Sequence, residues 1–134
     1  MCQLGDIIVV ERYKSHGVEI NHHSFVVISD EKGFIRGLDY DFICLVMSSY
    51  KDEEQKARKL SYPGNFPITV DDQYIIKGTN GKKGYIKAEQ FYYFNKDKIK
   101  YKVIGHLDKD IFNLLIEFIQ EEMEAPIKQI TDNL

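Results

Sequence analysis

The chain has 134 residues, of which 43% are hydrophobic and 29% charged, and this composition fits one globular domain and excludes a disordered chain. Its 18 basic and 21 acidic residues give a net charge of −3, so any contact with RNA needs a local basic patch. Two cysteines are too few for a disulfide framework, and their spacing is not that of metal ligands. We expect no secretory signal and no membrane span, and we also expect no cofactor. A cytoplasmic protein is therefore expected.

Short β-branched and aromatic runs separated by turn signals predict a β-rich fold. A first strand is predicted at residues 7–10, a polar loop at 12–21 and a second strand at 25–28. Further strands are predicted at residues 42–47, 66–70, 74–77, 84–88 and 91–94, with turns at 33–37, 63–65 and 78–81. Such spacing is typical of a small barrel or sandwich.

Two segments have helical character. Residues 51–59 are strongly charged and lack an apolar face, which predicts an exposed helical turn or a mobile loop. A second helix is predicted to begin at Asp108 and to end before Pro126, with one apolar stripe that packs on the sheet. The stripe consists of Ile111, Leu114, Leu115, Phe118 and Ile119. One domain is therefore predicted at residues 1–126, followed by a short polar tail at 127–134 that frays.

Two adjacent histidines precede the second strand. His22 and His23 lie, with Glu19, where the predicted loop enters that strand, and Ser48 and Ser49 lie at the end of the predicted third strand. An imidazole can act as base, acid or cation near neutral pH, and hydroxyls can donate to phosphate oxygens. The alternative is that these histidines and serines are ordinary polar residues at strand ends.

An ordered set of short motifs resembles the MazF/PemK family of toxin ribonucleases. In chain order these are Gly5-Asp6-Ile7-Ile8, His23-Ser24-Phe25-Val26-Val27-Ile28-Ser29, Val46-Met47-Ser48-Ser49, Ala88-Glu89-Gln90 and Ile104-Gly105-His106-Leu107-Asp108. The resemblance covers nearly the whole chain. Order and spacing carry it, because no single motif is specific.

The resemblance implies a mainly β fold with α-helices, of the β-rich α+β class. It implies a small SH3-like barrel of the MazF/PemK/CcdB type with a C-terminal α-helix. It also implies a homodimer that cleaves single-stranded RNA at selected sequences without a metal, and that an antitoxin protein neutralises.

The family's functional positions can be transferred residue by residue. Its Gly-x-Glu resembles Gly17-Val18-Glu19, its Arg falls on His23, and its strand-end hydroxyl falls on Ser48. A basic position of the family is occupied by Tyr92. We therefore expect Glu19, His23 and Ser48 as the catalytic set, with Glu19 as base and His23 in the electrostatic role of the Arg.

Five further residues are expected to bind substrate. They are His22, Ser49, Lys82, Lys83 and Tyr92. The lysines would steer phosphates and the tyrosine ring would stack on a base. Their alternatives are a solvated hairpin for the lysines and core packing for Tyr92. A second interpretation of the whole chain is a non-catalytic module of the same fold that recognises RNA or a protein partner.

Overall fold

The fold is known from a computed structural model that describes residues 2–68, 73–75 and 84–134, with the backbone alone for 73–75. Eleven strands occur in these ranges. They are β1 (Asp6–Ser15), β2 (Val18–Ser29), β3 (Gly33–Ile35), β4 (Leu38–Tyr40), β5 (Phe42–Ser49), β6 (Asn65–Ile68), β7 (Gln73–Ile75), β8 (Gly84–Lys87), β9 (Gln90–Phe94), β10 (Tyr101–Leu107) and β11 (Lys128–Ile130). The predicted turn at 78–81 and the residues Lys82 and Lys83 lie outside the described ranges.

Nine of these strands form one sheet. Its main path runs in the order β11, β9, β5, β2, β1, β10 and β7, while β8 pairs with both β5 and β6. The other two strands, β3 and β4, form a separate hairpin. Within the ranges described, β11 and β7 end the main path without meeting, so these strands do not form a closed barrel. The predicted β-rich class with helices is confirmed.

A long antiparallel hairpin of β1 and β2 replaces the polar loop predicted at residues 12–21, and that prediction is wrong. The two strands pair from Ile7–Val26 to Ser15–Val18. His16 and Gly17 form the tight turn, with φ of 53° and 79°. Two left-handed residues in succession match the twist of a hairpin, so a short turn replaces a loop.

The two faces of the central strands pack into two different clusters. The aromatic cluster contains Phe25, Phe42, Tyr13, Tyr92 and Phe94 among its buried members. The aliphatic cluster lies on the other face. Its buried members include Ile7, Val26, Leu45, Ile86 and Leu115. Because neighbouring residues of a strand point to opposite faces, continuous apolar runs such as residues 25–28 serve both clusters.

Two short helices complete the fold. The first, α1 (Glu53–Leu60), is capped by the Asp52 side chain and has no buried residue, which agrees with an exposed helical segment. The second, α2 (Lys109–Glu117), begins after Asp108 as predicted and continues as a π-helical turn, Phe118–Glu122. Of the predicted apolar stripe, Leu115 is fully buried in the aliphatic cluster. Leu114 is 51% exposed, so the helix packs on the sheet along a narrow line.

The segment after Pro126 is part of the sheet, and the prediction that residues 127–134 fray is wrong. Strand β11 pairs in parallel with β9, and Ile130 is buried in the aromatic cluster. The Asn133 side chain accepts from the Lys14 amide at 2.6 Å and donates to the Lys14 carbonyl at 3.0 Å. Backbone pairing and side-chain bonds hold this polar segment despite its composition.

No helix in the described part of the chain is both long enough and apolar enough to span a membrane.

Candidate functional site

His22 and His23 lie inside β2 and point to opposite faces of the sheet. His23 has the same parity as Phe25, and its ring meets the edge of Tyr13 at a centroid distance of 6.1 Å. His22 has the parity of Val26 and lines a groove on the other face. Both imidazoles are exposed. His22 lines the groove and His23 does not, so the two imidazoles belong to different places on the surface.

Ser48 and His23 lie at the same end of the pairing between β2 and β5. The antiparallel ladder ends at the pair Ser24–Met47, and His23 and Ser48 are the next residue on each strand. Both have the parity of the residues that face the aromatic cluster, so a continued register would set them opposite each other. Ser48 is half-buried and pairs with Tyr85 on its other side. Two of the three expected catalytic residues thus lie at the same end of one ladder.

Glu19 does not join them. It lies on β2 four residues before His23, a separation of about 13 Å along a strand. It pairs with Lys14 on β1 and is exposed. Its neighbour Ile20 packs against the aromatic cluster, so Glu19 points away from the face that His23 occupies. A carboxylate in this position cannot take a proton from a group held by His23 and Ser48.

The orientation of Glu19 follows from a change of face along the β1–β2 hairpin. Val10 and Tyr13 are three residues apart on β1, yet both are buried in the aromatic cluster. Strict alternation would send them to opposite faces. The register of β1 and β2 is the same on both sides of Glu11, so the change of face lies between Val10 and Tyr13 and is not caused by a register shift. Residues beyond it have exchanged faces relative to residues before it.

Tyr92 is a core residue, and the expectation that it binds substrate is contradicted by its burial. Its side chain is 3% exposed, and its ring meets Tyr13 at 5.6 Å and Phe25 at 5.2 Å. Its hydroxyl donates to Ser15 Oγ at 3.0 Å. Burial raises the pKa of Tyr92, which keeps the hydroxyl protonated at neutral pH. A ring enclosed in this way cannot stack on a base.

The remaining expected substrate residues divide between two places. Ser49 is exposed and has the parity of Met47, so it lies on the opposite face of β5 from Ser48. That is the face of His22. Lys82 and Lys83 cannot be assigned to either face, because they lie outside the described residues.

The motif Ala88-Glu89-Gln90 holds the junction of β8 and β9. Ala88 and Glu89 are buried, and the Ala88 amide donates to the Gly64 carbonyl at 2.9 Å. A Cβ at Gly64 would lie 2.6 Å from Glu89 Oε2 and 2.7 Å from Tyr62 Cε2, so both side chains would have to move to admit it. This carboxylate oxygen has no hydrogen-bond partner among the described residues. The motif therefore packs inside the protein at the junction of the two strands, where it contacts Gly64.

A groove of about 400 Å³ lies on the face of His22 and was not predicted from the sequence. It is lined by Val9, Glu11, His22, Lys100, Tyr101 and Lys102. One signal for it was present, since lysines alternate at positions 98, 100 and 102, as expected for a strand with one basic face. Strand β10 was not predicted, and the pattern therefore had no place in the fold.

No protein-family model and no curated protein matches the chain. The function is therefore inferred from the geometry of the site. Across the described ranges, no cluster of three or more His, Cys, Asp or Glu side chains could hold a metal ion.

Proposed function

We propose that the chain is a MazF/PemK-like endoribonuclease that cleaves single-stranded RNA with His23 and Ser48. One observation supports this proposal above the others: an exposed imidazole and a half-buried hydroxyl each follow the last pair of the ladder between the adjacent strands β2 and β5. The strands are rigid, because Phe25 and Val46, the next residues of like parity, are buried. Fixed strands hold functional groups more accurately than loops do.

The proposed reaction uses the 2′-hydroxyl of the RNA as nucleophile. His23 accepts the 2′-hydroxyl proton while Ser48 donates a hydrogen bond to a non-bridging phosphate oxygen. The 2′-oxygen bonds to phosphorus, the bond to the 5′-oxygen breaks, and that oxygen takes a proton from water. The products are a 2′,3′-cyclic phosphate and a 5′-hydroxyl. Glu19 has no role in this scheme, because it points away and lies about 13 Å along the strand.

A homodimer and an antitoxin partner belong to the same proposal. Large apolar side chains lie exposed on several elements, including Phe34, at 76%, and Leu38 on the β3–β4 hairpin. Such side chains favour protein contacts when they are contiguous. Sedimentation at high micromolar concentration should give twice the 15.7 kDa of the chain. A monomer at that concentration would remove the dimer from the proposal.

The second candidate function is a non-catalytic module of the same fold that binds RNA or a protein. The position of Glu19 favours it, because a single imidazole then remains where two titratable groups were expected. Binding of RNA without cleavage is the result that would select this candidate.

One assay separates the two candidates. The purified chain is incubated with a long RNA in EDTA, and the product ends are mapped. Cleavage at selected sequences is expected, and His23→Ala should lower its rate by about 100-fold or more. His22→Ala is the matched control, since this exposed imidazole lies on the other face. Equal loss in both variants, or no cleavage by the parent chain, would overturn the proposed reaction.

A further inference from the structure

The groove beside His22 is built by three neighbouring strands. His22 lies on β2, and Val9 and Glu11 lie on the central strand β1. Lys102 lies on β10, and Lys100 is the residue before that strand. Val9 pairs with Lys102, and the Glu11 amide donates to the Lys100 carbonyl at 3.0 Å. Lys100 and Lys102 are two residues apart and therefore project to one face about 7 Å from each other. The floor of the groove combines the paired backbone of Val9 and Lys102 with Glu11 and His22, which form no pair in the β1–β2 ladder.

The charged groups of the groove are unused by the fold. In the described part of the chain, no hydrogen bond or ion pair involves the side chains of Glu11, His22, Lys100 or Lys102. Two ammonium groups therefore stand against one carboxylate. The whole chain is acidic, with a net charge of −3, so this local excess of positive charge runs against the overall balance. Two lysines and an imidazole opposed by a single carboxylate leave a local excess of positive charge, which favours an anion.

We propose that this groove binds a small phosphate monoester that carries hydroxyl groups, such as a sugar phosphate. Lys100 and Lys102 contact the phosphate oxygens from one side, and an N–H of His22 donates from the other strand. Glu11 would repel a bare anion, but its carboxylate accepts hydrogen bonds from hydroxyls of the ligand's carbon skeleton. A volume of about 400 Å³ lies within the usual range for small-molecule sites.

This site is separate from the proposed reaction centre. His22 and His23 are neighbours in the chain but point to opposite faces of β2. A ligand in the groove therefore does not contact His23 or Ser48. Binding of the phosphate monoester and cleavage of RNA can accordingly succeed or fail independently.

Calorimetric titration with ribose 5-phosphate tests the proposal. Saturable binding with one site per chain is expected, with weaker binding of inorganic phosphate and none of ribose. The double variant Lys100→Ala with Lys102→Ala should weaken binding by about tenfold or more. Lys98→Ala is the matched control, because Lys98 is an exposed lysine of the same run that does not line the groove. Glu11→Gln should reduce the preference for ribose 5-phosphate over inorganic phosphate.

Two results would overturn the site. One is the absence of saturable binding of ribose 5-phosphate at millimolar concentration. The other is an equal loss of affinity in Lys98→Ala and in the double variant, which would indicate general attraction to lysines. All substituted residues are exposed, and thermal unfolding of each variant verifies that the fold is retained.

Discussion

Tyr92 links the aromatic cluster to the first hairpin through one hydroxyl group. Its ring packs against Tyr13 and Phe25, and its hydroxyl donates to Ser15 Oγ, which is buried at the end of β1. Ser15 Oγ also lies 3.1 Å from His16 Nδ1 in the turn. A single side chain thus connects the core to the turn of the hairpin.

Tyr92→Phe should lower the free energy of unfolding by about 1–2 kcal/mol, because Ser15 loses a buried hydrogen bond while the ring packing remains. Urea unfolding measures the change. Tyr62→Phe provides the control, since Tyr62 is 41% exposed and its substitution should change stability by less than about 0.5 kcal/mol. Equal stability of Tyr92→Phe and the parent chain would show that this bond contributes nothing.

At the scale of elements, the β1–β2 hairpin depends on its two turn residues. Gly17 has a φ of 79°, a conformation that side chains with a Cβ rarely adopt, although no atom would contact a Cβ placed there. The neighbouring His16 already occupies the left-handed region with a φ of 53°. The turn therefore carries backbone strain at His16, and Gly17 avoids a second strained residue.

Gly17→Ala should destabilise the chain by about 1–2 kcal/mol through backbone strain alone, since the space for a methyl group is open. Thermal and urea unfolding test this value. The control is Val18→Ala at the adjacent, 62% exposed strand position, which should stay within about 0.5 kcal/mol. A neutral Gly17→Ala would mean that the turn relaxes to another conformation.

Local sequence was enough to predict most strand cores and the start of α2, because apolar runs and the Asp108 cap are local signals. It failed where distant contacts decide. Residues 12–21 are extended because the ends of β1 and β2 pair with each other through a two-residue turn. Strand β11 forms because β9 has a free edge with which it can pair. No signal near residue 128 indicates that edge.

The candidate site was predicted in part for the same reason. His23 and Ser48 were recognised as candidates, and their positions at one end of the ladder follow from the pairing of β2 with β5. Glu19 could join His23 and Ser48 only from a loop that folds back. The β1–β2 hairpin instead holds Glu19 in an extended strand, paired with Lys14. Tyr92 was misassigned because burial depends on the aromatic cluster that surrounds it.

At the scale of the whole molecule, tyrosines and cysteines whose pKa is raised by burial predict the response to alkaline pH, and Tyr13 and Tyr92 are two of them. Burial is the main cause that raises the pKa of both Tyr13 and Tyr92 above the ordinary value near 10. The folded chain therefore holds these protons to a higher pH than the unfolded chain does. Between the two pKa values the unfolded chain binds fewer protons, so stability falls as the pH rises.

Urea unfolding between pH 8 and pH 12 should show this loss. Stability should decline above about pH 9, by up to about 1.4 kcal/mol per pH unit for each group whose pKa burial raises. Tyr13→Phe removes one of these groups and should therefore reduce the slope. A free energy of unfolding that stays constant from pH 9 to pH 12 would contradict the burial of these hydroxyls.

The contacts of the hairpin with residues near the C-terminal strand have a consequence for synthesis. The Lys14 amide donates to Asn133, 119 residues later, and the Gly17 amide donates to Asp132. A ribosome adding about 5–20 residues per second needs about 6–24 seconds to extend the chain by the 119 residues from Lys14 to Asn133. During that interval the nascent hairpin lacks both acceptors, and slower translation of the second half of the chain would prolong the time in which chaperones can bind it.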